Sequence, residues 1–563
     1  MAIREAIQDA IRDSLRVLIN TISGRLFDKS EQAASFESLP VFGELISSMT
    51  TYIDYVRIQN DVTEYYRYAM FSHKWEANEP LFEKVVRVVV YDFEESLTHN
   101  KLQMFCKIVR DAGLHWAWSD TCCINKADHF VLQEALVAMF KWYQGSALTL
   151  VLLHGVPSPS KRGDLVKSIW NTRAWTFQEY HASKVVRFYN EDWTLYLNLD
   201  IPNHKESPEI ISEMEEATGI SAWALMALQP GLENIREKLC LASTRQTTFI
   251  EDSAYSLLGI FSISLPVVYG EGDQALGRLL AQLLASSGDT SILAWTGRSG
   301  SFNSCLPSSI TVFSKLLTSH VPLPITGANM ETMVARLRAS SLSLTSVMRL
   351  YDRLHGLPVP SFSGKRMRLP CLTFMLGPVS ATRAVSGRAF RAKTDGLGIV
   401  EITTTEDLSR LDSLILVHPW IDFLLDRQPV RSFAETIAEE PSNERSSIGE
   451  SLSSPGLSNI TPVVPQTRAA RFVARLGRPF GFRPRDAASL LSPSPVSLTD
   501  KRTQALQLLA RLRQPFGALL FTPTRQNVAE YRRVAAESEI TVRVQDDTPL
   551  SMLIASAHML DVL

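Results

Sequence analysis

The sequence predicts an α/β fold: a mostly parallel sheet covered by helices, then a helical extension and a β-rich C-terminal region. Three observations carry this. Between residues 67 and 200, short apolar runs alternate with segments of helical period. Residues 201–287 keep the helical period and lack strand alternation. From 288 to 430 the pattern turns to short β-branched runs with turn residues between them. The chain has 563 residues, 45% of them hydrophobic and 21% charged, enough for two to four cored domains at about 100–200 residues each.

Composition also excludes. A net charge of -2 argues against a wholly nucleic-acid-binding protein. The cysteines, Cys106, Cys122, Cys123, Cys240, Cys305 and Cys371, form no C-x-x-C pair, so neither a disulfide framework nor a zinc ribbon is expected. A reducing, cytoplasmic setting is expected. Met1-Ala2-Ile3-Arg4-Glu5 lacks the pattern of a signal peptide. No run approaches the roughly 20 apolar residues of a membrane span, and Ala254 to Val268 holds Pro266.

Taken in order, residues 1–66 read as an N-terminal helical extension. Ile3, Ile7, Ile11, Leu15, Leu18, Ile22 and Leu26 form one stripe over 3–26. Its other face balances Arg and Asp or Glu, which suits a docking helix rather than a membrane-surface one. Residues 67–200 form the α/β core. Strands are expected at Tyr68 to Ser72, Leu114 to Ser119, Ala147 to Leu153 and Lys184 to Tyr189. Helices are expected at Leu97 to Ala112, 129–143 and around Trp175 to Glu179; Gly113 stops the first. Phe82 to Phe93 fits either class. Residues 201–287 continue as helices, one starting at Ser207-Pro208-Glu209 and another over Arg245 to Phe261. Gly270 and Gly272 match no phosphate-loop spacing and read as a turn. Residues 288–430 form a β-rich domain with strands at Leu372 to Leu376, Gly398 to Thr403 and Leu414 to His418. Residues 431–500, rich in Ser, Pro and Arg, read as a disordered linker. Residues 501–563 read as a small α/β segment packing on the β-rich region: helix Arg502 to Arg513, strand Gly517 to Phe521, helix Val528 to Ala536, strand Ile540 to Val544, final helix.

Ligands of parallel sheets sit beyond the carboxyl ends of the strands. The segments there are Ser72 to Trp75, Asp120 to Asn125, Leu153 to Val156 and the helix with Trp175 and Glu179. These last two are four apart and share a helix face. Alone, that spacing also fits a packed Trp and a solvated Glu.

Four motifs in order and spacing then resemble the fungal heterokaryon-incompatibility (HET) domain over residues 68–183. They are Tyr68-Ala69-Met70-Phe71-Ser72-His73-Lys74-Trp75, Trp118-Ser119-Asp120-Thr121-Cys122-Cys123-Ile124-Asn125-Lys126, Met139-Phe140-Lys141-Trp142-Tyr143 and Arg173-Ala174-Trp175-Thr176-Phe177-Gln178-Glu179. The likeness continues through Glu251 to Phe261 and the Tyr269 to Gly272 turn. Lys74 and Ala174 depart from residues the family often has there.

The resemblance implies a flavodoxin-like fold, similar to that of Toll/interleukin-1-receptor (TIR) domains. It also implies a role in non-self recognition and programmed cell death. Some TIR domains hydrolyse NAD with a Glu four residues after a Trp, which here puts Glu179 as the catalytic carboxylate and Trp175 as a pocket wall. From strand-end position, Ser72, His73 and Asp120 are expected to hold ribose hydroxyls, Arg173 the pyrophosphate and Trp75 a base. NAD enters as substrate, with no resident cofactor and no metal. An incompatibility partner of unknown identity is implied, and the alternative is a non-enzymatic signalling module that self-associates or recruits a death effector. A Cys122–His73 thiol hydrolase and a His73–Asp120–Cys122 metal site are weaker rivals.

Overall fold

The structure is a computed structural model. It describes residues 5, 7–9, 15–48, 54–218, 221, 228–314, 327–340, 342–382, 388–411, 413–420, 498–524 and 529–563. The chain divides into two compact units, residues 423–506 and residues 1–422 with 507–563; the second holds every strand among the described residues. The linker expected at 431–500 lies outside the described residues but for its last three.

The first half is a mixed six-stranded sheet with helices on both faces. Its strands are β1 (Val17–Asn20), β2 (Arg25–Asp28), β3 (Tyr68–His73), β4 (Trp116–Trp118), β5 (Leu148–Leu152) and β6 (Val186–Tyr189), in the order β2-β1-β4-β3-β5-β6. The four from β3 to β6 are parallel. Their chain succession gives the spatial order 2-1-3-4, so the connections leaving β3 and β5 diverge. A crevice between diverging connections is where doubly wound sheets bind ligands.

Strand alternation sorts the end of β3 onto two faces. Phe71 stacks on Phe105 of the Leu97–Asp111 helix, centroids 4.5 Å apart, and His73 stacks on Phe71 at 4.1 Å. Ser72 points the other way, to the helices His129–Gly145 and Ala174–Ala182. Helix ends follow local chemistry: Ser96 and Asp128 accept amides as N-caps, and Gly113 at φ 81 follows the first helix.

Residues 17–28 are not the second half of a helix. They form an antiparallel hairpin that joins β4 through β1. Val17, Leu18 and Ile19 suit a strand, and the turn closes at Gly24, φ 68, with Gly24 N donating to Asn20 O at 2.8 Å. The helical spacing of the stripe is real, but the hairpin pairs all four residues of β1 with β2, and the edge of β4 pairs with Ile19 and Asn20. Arg245 to Phe261 is likewise mostly turns, with one helical turn at Asp252–Tyr255. Gly259 explains its close approach: a Cβ there would lie 2.2 Å from Phe140 Cβ.

The C-terminal half is β-rich but contains two helices the sequence did not announce, Gly327–Ala339 and Leu344–His355. Strands β7 (Ser361–Ser363), β8 (Arg366–Met375), β9 (Ser380–Thr382), β10 (Arg388–Thr394), β11 (Gly398–Thr404) and β12 (Ile415–Pro419) precede the linker. Strands β13 (Phe516–Pro523), β14 (Glu530–Val534), β15 (Ile540–Val542) and β16 (Ala557–Val562) follow it. The helix expected over 528–536 is therefore β14. The expected last helix is Leu550–Ser556 followed by β16. Pairing runs β8–β12–β13–β14–β16 and back to β8, a closed five-stranded barrel. Closure removes the edges a short sheet would expose, and this ladder overrides the helical pattern of 528–536.

Arg533 ties the barrel to the 290–295 segment that precedes it. It is 4% exposed, donates to Leu293 O at 2.8 Å and Trp295 O at 2.7 Å, and sits 3.8 Å over the Trp295 ring. Gly259→Ala should destabilise the chain by about 1–3 kcal/mol through overpacking on Phe140, read as a lower urea midpoint at unchanged m-value.

Candidate functional site

Glu179 lies on the Ala174–Ala182 helix and is 7% exposed. The helix begins after a break at Arg173, φ -80 and ψ 143. No side chain caps that break. Backbone from the 245–246 segment does: Gln246 N donates to Thr172 O at 2.7 Å, and Ala174 N to Gln246 O at 3.0 Å. Arg245 adds its guanidinium, donating to Arg173 O at 3.0 Å and Thr176 Oγ1 at 3.3 Å. The break orients Glu179 inward, toward the end of β3.

There the carboxyl meets a relay. Trp170 Nε1 donates to Ser72 Oγ at 2.7 Å, and Ser72 Oγ donates to Glu179 Oε2. The Tyr143 hydroxyl lies against Glu179 and donates to Phe71 O at 3.1 Å. With its one proton on that carbonyl, the phenol oxygen can accept from a protonated carboxyl. Burial, then the nearby Asp120 charge, push Glu179 from 4.5 to about 8. At neutral pH the folded chain therefore holds this carboxyl mostly protonated.

Asp120, at the end of β4, is the second carboxylate. Its Oδ2 accepts from Trp75 Nε1 at 2.7 Å, and burial raises its proton affinity. Trp75 is 38% exposed, with Lys126 Nζ 3.5 Å over its ring. Arg173 is half-buried and forms no ion pair within 4.0 Å among the described residues, yet its charge favours ionised Glu179 and Asp120. His73 is 5% exposed on the other face, beside Glu79 and Lys101; burial, then Lys101, keep it neutral.

Ser72, Glu179, Asp120, Trp75 and Arg173 therefore converge. His73 and Trp175 face elsewhere. Trp175 donates to Asp252, which also accepts from Tyr269 Oη at 2.9 Å. It anchors the 251–272 segment rather than lying on Glu179. The turn at Gly270 and Gly272 is a cradle filled by the chain's own Glu251, whose Oε1 accepts from both amides at 2.8 and 2.9 Å. Tyr143 and Trp170 are the partners sequence reasoning missed. Tyr143 was visible as a polar tip on an otherwise apolar helix face.

Cys122 is buried, and its hydrogen bond with Cys123, together with burial, holds its thiol well above the ordinary value. That disfavours a thiolate nucleophile. Among the described residues no group of three His, Cys, Asp or Glu is placed to hold a metal ion. No described helix is long and apolar enough to cross a membrane. A hollow of about 400 Å³ lined by Leu199, Ile201 and Pro202 lies by β6, apart from Glu179.

Residues 68–163 match the family model described as "Heterokaryon incompatibility protein (HET)"; Glu179 lies beyond the matched span. "Vegetative incompatibility protein HET-E-1" of Podospora anserina is 33% identical over 223 residues, 38% of this chain and 16% of that protein. The chain thus spans about a sixth of the relative's length. No solved structure matches.

A carboxyl raised in the folded state keeps a proton that the unfolded chain releases above its ordinary value. Its favourable contribution is complete at low pH and is lost as pH rises toward about 8. Between about pH 5 and 8, wild type should lose stability relative to Glu179→Gln by up to about 1.4 kcal/mol per pH unit. Paired urea titrations across that range check this.

Proposed function

We propose that residues 68–163, which match the heterokaryon-incompatibility (HET) model, form a HET domain, and that the chain is a fungal incompatibility protein that triggers or regulates programmed cell death. Similarity to the Podospora incompatibility protein supports this role. We infer that the domain is flavodoxin-like, in the manner of TIR domains, and hydrolyses NAD at the nicotinamide–ribose bond. The 2-1-3-4 order of the parallel strands supports the fold. One observation carries the chemistry: a desolvated carboxyl, Glu179, hydrogen-bonded to Ser72 at the strand end where the connections diverge.

The reaction needs little acid. The C1′–N bond breaks with its electron pair going to nicotinamide, which leaves neutral. Positive charge develops on the ribosyl carbon, and an ionised Glu179 beside it lowers that barrier in a water-poor site. Water then adds to C1′, and its proton passes through a carboxylate to solvent. Ser72 and Tyr143 hold the Glu179 carboxyl in place, and Asp120 takes a ribose hydroxyl. The cationic nicotinamide ring itself favours the ionised form as it enters. Because the free protein holds Glu179 protonated, kcat/KM should rise up to tenfold per pH unit and level off near pH 8.

The enclosure of Glu179, 7% exposed, favours a second reading, in which the domain is an interaction module and the cluster is structural. Incubating purified protein with NAD decides between them. The enzymatic reading expects nicotinamide and ADP-ribose to form, and at least a hundredfold loss of rate in folded Glu179→Ala. Intact NAD at high protein concentration would favour the module.

A further inference from the structure

Two polar groups near the Glu179 cluster are buried without a hydrogen-bond partner: Lys126 Nζ and Asp120 Oδ1. Buried polar atoms are almost always satisfied, so a concentration of orphans at one strand edge asks for a missing partner. Lys126 is the most telling. Its ammonium can donate three hydrogen bonds, yet it meets only the face of Trp75, 3.5 Å from the ring centroid. The same indole donates to Asp120 Oδ2 at 2.7 Å. Trp75 thus occupies both charged groups at once, while remaining 38% exposed at the surface.

Charge around the indole favours an anion. Lys101 lies against Glu76 and Glu79. Lys126 and Arg173 have no carboxylate within 4.0 Å among the described residues, and the charge of each acts on Asp120. Around Asp120 itself the two cations Lys126 and Arg173 face one carboxylate, while Glu79 and Glu83 act on Lys126 from beyond 4.0 Å. A ligand with phosphate oxygens for the two cations and a hydroxyl for Asp120 Oδ1 satisfies both of these orphans.

We propose that Lys126 and Arg173 form an anion clamp for the diphosphate of a nucleotide, and that the Trp75 indole covers this clamp until ligand displaces it. The clamp rests on the reading of the site as a nucleotide site and adds Lys126 and a cover to it. Displacement frees the Asp120 carboxylate for a ribose hydroxyl and gives Lys126 charged acceptors in place of a ring face.

Binding of ADP-ribose and of adenosine to the full chain, followed by calorimetry, tests this without any turnover. Lys126→Met should weaken ADP-ribose binding about tenfold or more and leave adenosine unchanged, while Lys126→Arg restores binding. Trp75→Phe keeps a ring but removes the N–H to Asp120, and should tighten ADP-ribose binding severalfold. Unchanged ADP-ribose affinity in a folded Lys126→Met protein overturns the clamp, and so does a wild type that binds no ADP-ribose. Should Lys126→Met fail to fold, wild type decides: an affinity insensitive to salt contradicts an anion clamp. NAD cleavage that persists unaltered in Lys126→Met would remove the clamp and leave the chemistry standing. ADP-ribose held through Lys126 with NAD left intact would do the reverse.

Discussion

Glu179 is almost fully enclosed, and the neighbours that enclose it come from several elements of the first sheet. β3 brings Ser72, the helix before β5 brings Tyr143, and the turn before its own helix brings Trp170. The 245–246 segment fixes the helix start from outside. Removing water makes the ionised carboxyl costly, and that cost is the same quantity whether read as a raised proton affinity or as a reserve of electrostatic attraction for a cation. The packing of the α/β half and the chemistry of its strand edge therefore rest on one enclosed carboxyl.

Much of this half was legible because its periods are local. Alternating apolar runs and helical stripes located β3 to β6 and the helices between them, and parallel topology then gathered Ser72, Asp120 and Glu179 at one edge. What failed was what depends on distant partners. The stripe from Ile3 to Leu26 has helical spacing, yet pairing with β2 and β4 captures residues 17–20 as a strand. Trp175 shares a helical face with Glu179 on paper, but Asp252, far along the chain, claims its indole N–H. His73 neighbours Ser72 in sequence and is turned to the opposite face by the pleat.

The C-terminal half was less legible for the same reason. A closed barrel is defined by pairings between strands on either side of a long intervening segment, such as β8 with β16. Its register leaves no short-range signature. β14 carries Arg532 and Arg533 amid residues that read as helix, and only the buried carbonyls of Leu293 and Trp295 explain why Arg533 belongs inside. Burying that guanidinium makes the joint between the barrel and the 290–295 segment specific, since its donors need those carbonyls.

Burial of Glu179 underlies both the packing and the chemistry, and a carboxyl protonated in the folded protein at neutral pH is its direct consequence. Difference infrared spectroscopy of wild type minus Glu179→Gln measures it directly. The expected result is the carbonyl stretch of a protonated carboxylic acid at pH 6.5, replaced by carboxylate bands as pH passes about 8. Carboxylate bands alone at pH 6.5 would contradict it.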